Sequence, residues 1–66
     1  MVMIKDLDIL KEEFYNEGVR LAEEQGFISL EEISNRFPDV DQNSENFVVF
    51  MGELCKGFDS VQQKVS

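Results

Sequence analysis

The chain contains no histidine and a single cysteine, so it lacks the side chains most often used in proton transfer and in transition-metal binding. With Cys55 alone, neither an intramolecular disulfide nor a cysteine-rich metal site can form. Acids that are neighbours in sequence, such as Glu12 and Glu13, diverge on a helix instead of sharing a proton. We therefore predict that the protein is not an enzyme and that it uses no cofactor or metal.

Long apolar runs are also missing. No stretch approaches the roughly 20 apolar residues of a membrane span. The N-terminus lacks the apolar segment of a signal peptide. These two features predict a cytoplasmic protein.

Basic residues are scarce, with six Lys and Arg against 14 Asp and Glu and a net charge of −8. Phosphate contacts need Lys and Arg, so we expect no direct binding to nucleic acid or to an anionic membrane. The same charge suits a basic protein surface, including one that normally holds nucleic acid. The alternative is that the acids only keep a small protein soluble.

Residues 26–39 contain a helix stop, an extended segment and a short helix. Gly26 can adopt the left-handed conformation that ends a first helix. Ser29 and Glu32 have the spacing of a capping box, and Pro38 ends a helix over residues 30–37. The residues predicted on its buried face are Leu30, Ile33 and Phe37.

A first helix is predicted over residues 8–25, with Asp6 or Asp8 as its N-cap. Its apolar stripe consists of Leu7, Leu10, Phe14 and Leu21, with Ala22 beside them. Its acids, predicted on the outer surface, are Glu12, Glu13, Glu17, Glu23 and Glu24. Gly18 inside this pattern either permits the close approach of another helix or marks a kink, and the sequence does not separate these interpretations.

A third helix is predicted from the cap Ser44 to a stop at Gly57. Its stripe consists of Phe47, Phe50, Met51 and Leu54, widened by Val48 and Cys55. This pattern predicts Cys55 as a core residue and not a reactive thiol. Val40, in the polar loop before the helix, is the one loop residue expected to pack inward.

Residues 58–61 alternate in polarity as in a short strand, and residues 27–29 are the expected partner strand. The predicted fold is therefore mainly α, a compact three-helix domain closed by a two-stranded ribbon. It forms one domain over residues 1–66, with frayed ends at 1–5 and 62–66.

Two common motifs match only in part. Asp39, Asp41 and Asn43 alternate as in a calcium loop, but Ser44 stands where glycine is needed and Phe50 where the bidentate glutamate belongs. A solvated loop is the better interpretation. The second and third helices suggest a helix-turn-helix shape, but the third offers Lys56 as its only base before Gly57, so we expect no DNA binding through it.

The run Gly-Phe-Ile-Ser-Leu-Glu-Glu-Ile at residues 26–33, followed by Phe37 and Pro38, resembles region 1.1 of primary bacterial sigma factors. The similarity continues through an acidic loop, an apolar helix and a turn at Gly57 followed by an extended apolar segment, and covers residues 10–61. Leu30 replaces the aromatic residue usual in that region. The resemblance implies an acidic helical domain that occupies the cationic DNA channel of RNA polymerase, as a DNA mimic that regulates transcription initiation. A free-standing or phage relative with the same shape and charge is a variant of this interpretation.

The candidate partner-binding residues are the acids expected to be exposed on the first helix and on the segments after it. They are Glu12, Glu13, Glu23, Glu24, Glu31, Asp39, Asp41 and Glu45. The alternative function is an adaptor that binds another protein or a second copy through an apolar patch on the third helix. That patch would contain Phe47, Val48, Phe50 and Met51. A monomer is favoured.

Overall fold

A computed structural model describes residues 7–65, with side chains described for residues 7–63. The described chain forms three helices, α1 (Leu7–Glu24), α2 (Leu30–Arg36) and α3 (Glu45–Val65), and contains no strand. The predicted mainly helical class is confirmed. The predicted cap Asp6 and frayed segment 1–5 lie outside the described residues.

The turn between α1 and α2 follows the local signals in the sequence. Gly26 has a φ of 79°, and its amide donates to the Leu21 carbonyl at 2.8 Å. Ser29 is the N-cap of α2, and its Oγ accepts a hydrogen bond of 3.4 Å from the Glu32 amide. The glycine stop and the serine cap are therefore confirmed. The Glu32 carboxylate, expected to return to the Ser29 amide, instead lies 3.7 Å from the Arg20 guanidinium.

Two glycines bring α1 and α3 into backbone contact. A Cβ on Gly18 would stand 1.9 Å from the Leu54 carbonyl oxygen, and a Cβ on Gly57 would stand 2.1 Å from the Tyr15 carbonyl oxygen. No other residue type fits either position without moving the backbone. Of the two interpretations of Gly18, close helix approach is the correct one.

The pairing of residues shows that α1 and α3 run in the same direction. Phe14 stacks on Phe50 with ring centroids 5.0 Å apart. One turn further along both helices, Gly18 faces Leu54. The connection that contains α2 therefore carries the chain back along the pair, and Ile33 and Phe37 face the core from it.

The predicted ribbon is wrong. α3 does not stop at Gly57 but continues to Val65, so residues 58–61 are helical, as are residues 62–65 of the segment predicted to fray. Phe58 and Val61 extend the helical spacing set by Leu54, and Phe58 packs against the core. Residues 27–29 consequently have no partner strand within the described chain. Gly57 is a packing position inside a helix.

The core contains five buried apolar side chains, Phe14, Leu21, Ile33, Phe50 and Leu54. Around them pack Leu10, Ile28, Phe37, Val40, Phe47, Met51 and Phe58, so the inward position of Val40 is confirmed.

Several predicted core positions are wrong. Leu7 and Leu30, the first residues of α1 and α2, are 47% and 57% exposed because each precedes the part of its helix that reaches the core. Val48 and Cys55 are exposed on α3. They lie two turns apart on the helix face opposite Phe50, so they do not widen its buried stripe.

Candidate functional site

The candidate acids of α1 divide into two stripes. Glu12 and Glu23 are eleven residues apart, which is close to three whole turns, so they share one face about 16 Å apart along the axis. Both side chains are exposed. Glu12 is also two residues from the buried Phe14, which places this stripe on the side of α1 away from the core.

Glu13 and Glu24 form the second stripe, on the flank of α1 that carries Arg20. Glu24 Oε2 accepts a hydrogen bond of 2.9 Å from Arg20 Nη1. Glu13 is half-buried and lines a surface pocket beside Arg20. The adjacent acids therefore diverge on the helix, as predicted, and Glu12 and Glu23 are exposed without an ion pair to a described residue.

The remaining candidate acids are exposed on the later segments. Glu31 lies in the first turn of α2, and Glu45 begins α3. Asp39 and Asp41 lie in the loop between these helices, where Asp41 Oδ1 accepts a hydrogen bond of 2.9 Å from the Asn43 amide. Within residues 7–63, no three His, Cys, Asp or Glu side chains converge as a cation site. The acids are thus distributed over the surface and do not form a chelating cluster.

Glu17 was predicted on the outer surface, and that prediction is wrong, because its side chain is only 5% exposed. Its two carboxylate oxygens accept hydrogen bonds from Arg20 Nε at 2.9 Å and from Arg20 Nη2 at 2.5 Å, a two-pronged contact. Arg36 of α2 approaches the same carboxylate with Nε at 3.4 Å. The hydrogen bonds that Arg20 donates to Glu17, and then the one to Glu24, raise the pKa of its guanidinium above the ordinary value.

Both arginines and Lys56 are paired with carboxylates, and the side chains of Arg36 and Lys56 are more than half exposed. Arg20 and Arg36 both face Glu17, and Lys56 pairs with Glu53 at 3.1 Å on α3. A sequence signal for part of this existed, since Glu17, Arg20 and Glu24 have the three- and four-residue spacings of helical ion pairs. The approach of Arg36 depends on how α2 packs and had no such signal.

A surface pocket of about 340 Å³ adjoins this network. It is lined by Glu13, Asn16, Glu17, Arg20, Arg36 and Phe37. Its two guanidinium groups are balanced by two carboxylates of the lining, those of Glu13 and Glu17, so the pocket presents no net positive charge to an anion. No nucleophile–base pair stands among the lining residues, and the geometry supplies no argument for a reaction there.

The apolar patch expected on α3 is mostly absorbed by the core. Phe50 is buried, and Phe47 and Met51 pack against it, while Val48 remains 73% exposed. Larger apolar side chains are exposed elsewhere, namely Phe27 at 59% and Leu30 at 57%. None of the described helices has the length and apolar content needed to cross a membrane.

No protein-family model, curated protein or solved structure matches this chain.

Proposed function

We propose that the chain is an acidic protein-binding module that occupies the positively charged DNA channel of bacterial RNA polymerase in place of nucleic acid. By doing so it regulates transcription initiation. The module acts by binding and carries out no reaction. The same proposal covers a phage protein that inhibits polymerase through the same channel.

One observation carries this proposal, the contrast between the paired arginines and the unpaired acids on the outer surface. The arginines Arg20 and Arg36 are in ion pairs with Glu17. The outer acids Glu12, Glu23 and Glu31 are exposed and have no ion pair with any described residue. A surface of this kind is repelled by phosphates and attracted by a groove built to hold them.

The resemblance to sigma factor region 1.1 supports the identity of the partner. It rests on the residues around Gly26 and Ser29 and on Pro38 after the short helix. The glycine turn and the serine cap of this pattern form in the fold, whereas its turn at Gly57 does not, because α3 continues through that residue. A short acidic helical domain that enters a nucleic-acid channel is what that resemblance implies. The charge argument reaches a cationic cleft independently of it.

We place the contact surface on the outer face of α1 and the start of α2, represented by Glu12, Glu23 and Glu31. The triple variant Glu12→Gln/Glu23→Gln/Glu31→Gln removes this charge while leaving side-chain size unchanged. The matched control Asp39→Asn/Asp41→Asn/Glu45→Gln also removes three charges, from the loop and the start of α3. Each variant leaves the Glu17 network intact.

The test is fluorescence anisotropy of the N-terminally labelled chain titrated with core RNA polymerase. We expect binding that weakens between about 50 and 200 mM salt and that double-stranded DNA displaces. The outer-face variant should bind at least about tenfold more weakly at low salt, and the loop variant less than about threefold more weakly. Absence of salt-sensitive polymerase binding would reject the proposal, and equal losses for the two variants would reject the assigned surface.

A further inference from the structure

The connection between α1 and α2, residues 25–30, exposes two large apolar side chains, and we call it the elbow. Phe27 is 59% exposed and Leu30 is 57% exposed. Ile28 between them packs against the core. The elbow therefore has one apolar residue that stabilises the fold and two that are turned to solvent.

The backbone of the elbow does not need either exposed side chain. The turn is made by Gly26, and α2 is capped by Ser29. Phe27 contributes its carbonyl oxygen, which accepts a hydrogen bond of 2.9 Å from Gln25 Nε2, and any residue could supply that group. Leu30 is the first residue of α2, a position where polar residues serve equally well. The apolar character of Phe27 and Leu30 is thus unexplained by folding.

We propose that the elbow is the docking surface for a basic protein surface, with Phe27 and Leu30 entering an apolar depression and Glu23 and Glu31 pairing with surrounding Lys or Arg. This inference rests on the proposed function and names the part of the module that makes the contact. Glu23 and Glu31 lie within four residues of Phe27 along the chain, and both are exposed. Apolar anchors inside a charged rim are the usual arrangement of a specific protein contact.

Charge argues against the other occupants of this surface. An anionic membrane would be repelled by a chain of net charge −8. A second copy would bring the same acids against each other.

The test compares two double variants. Phe27→Ser/Leu30→Ser removes the exposed apolar groups of the elbow, and Val48→Ser/Val49→Ser removes two exposed apolar groups from α3. Both should melt within a few degrees of the wild type, because the affected side chains are largely exposed. Two probes are titrated against each protein, core RNA polymerase and a synthetic amphipathic helix of Lys and Leu.

We expect the elbow variant to bind both probes at least about tenfold more weakly and the α3 variant to bind them within about twofold of the wild type. Salt-sensitive polymerase binding that the elbow variant retains in full would overturn this inference and leave the proposed function standing. Another outcome is that the wild type binds the peptide and not the polymerase, with the elbow variant losing the peptide binding. That outcome would reject the proposed partner but keep the docking surface. Neither survives if the wild type binds neither probe.

Two further measurements can overturn the choice of occupant. Sedimentation velocity across a range of protein concentrations would reveal self-association, and its loss in the elbow variant would identify a second copy. Flotation with vesicles of mixed neutral and anionic phospholipids would reveal a lipid surface in the same way. We expect the wild type to remain monomeric in sedimentation velocity and not to bind the vesicles in flotation.

Discussion

Helices α2 and α3 are both attached to α1, but by different means. α3 meets α1 backbone to backbone, because Gly18 and Gly57 remove the side chains that would keep the helices apart. α2 is held by long side chains. Phe37 stacks on Phe14 with centroids 4.1 Å apart, and Arg36 reaches Glu17. Within residues 7–65, Cα atoms of α1 and α3 approach within 8 Å, and α2 comes that close to neither helix.

This difference predicts how the two attachments respond to change. A backbone contact cannot adjust to an added atom, since both helices would have to move as rigid bodies. A contact made by flexible side chains can rearrange around a loss and costs less. We therefore expect the contact between α1 and α3 to be the most sensitive to substitution, and α2 to loosen without loss of the rest of the fold.

The strongest test is Gly18→Ala. The added methyl would stand 1.9 Å from the Leu54 carbonyl oxygen and 3.0 Å from the Phe58 amide nitrogen. We expect it to lower the free energy of unfolding by about 3 kcal/mol or more, at the upper end for overpacking. A chain of this size rarely has more than about 3–5 kcal/mol in total. Circular dichroism at 25 °C should therefore show a largely unfolded protein.

Gly52→Ala is the matched control, because Gly52 lies on the same helix but a Cβ there meets nothing within 4 Å. It should stabilise the protein by about 1 kcal/mol through helix propensity alone. If Gly18→Ala melted as the wild type does, the close contact of α1 and α3 would be refuted. If Gly52→Ala were equally damaging, the loss would reflect helix sequence and not packing.

The second test is Phe37→Ala, which removes the ring that joins α2 to Phe14. Because Phe37 is only partly buried, we expect a loss of about 2 kcal/mol, below the roughly 3–5 kcal/mol of a fully buried Phe. Hydrogen exchange should show the loss concentrated at the amide of Ile33 and its neighbours in α2, with α1 and α3 still protected.

Phe27→Ala serves as its control, since it removes an exposed ring close to the same helix. Its effect on stability should stay within about 0.5 kcal/mol. A uniform fall in protection over all three helices of the Phe37 variant would show that α2 does not open separately. The distinction drawn between the two attachments would then be lost.

Local sequence signals correctly predicted the turn at Gly26 and the helix cap at Ser29. Tertiary packing determined whether α3 ends at Gly57, and local signals did not predict that. Gly26 and Ser29 act within a few residues of themselves, so their roles can be predicted from sequence. Gly57 can be a helix stop or a close-packing position, and its neighbours do not distinguish these. The deciding fact is the Tyr15 carbonyl opposite it, which comes from another part of the chain. Once α3 continued through Gly57, the ribbon could not form.

The candidate site was predictable to the same degree. Exposed acids such as Glu12 and Glu31 follow from helical periodicity, which places them away from the apolar stripe. Glu17 lies closer to that stripe, and whether it is buried depends on a base that arrives from α2. Arg36 supplies that base. Val48 and Cys55 were misplaced because an apolar residue need not be buried, and only the position of α1 fixes which face of α3 is covered.

The smallest expected effect concerns the ionic part of the attachment of α2, and Glu17→Gln tests it. The amide keeps the shape and one acceptor but removes the negative charge that Arg36 and Arg20 share. We expect a loss of about 1 kcal/mol for the Glu17 carboxylate, because the guanidinium groups are partly exposed and regain water. Glu53→Gln breaks the exposed pair with Lys56 and should change stability by less than about 0.5 kcal/mol.

Urea unfolding of both variants at low and high salt measures whether the Glu17 ion pairs stabilise the attachment of α2. A deficit of Glu17→Gln that persists in salt indicates a shielded contact that holds α2. A Glu17→Gln protein more stable than the wild type would show that the desolvation of the charges outweighs their attraction, and that Phe37 and Ile33 alone hold the helix.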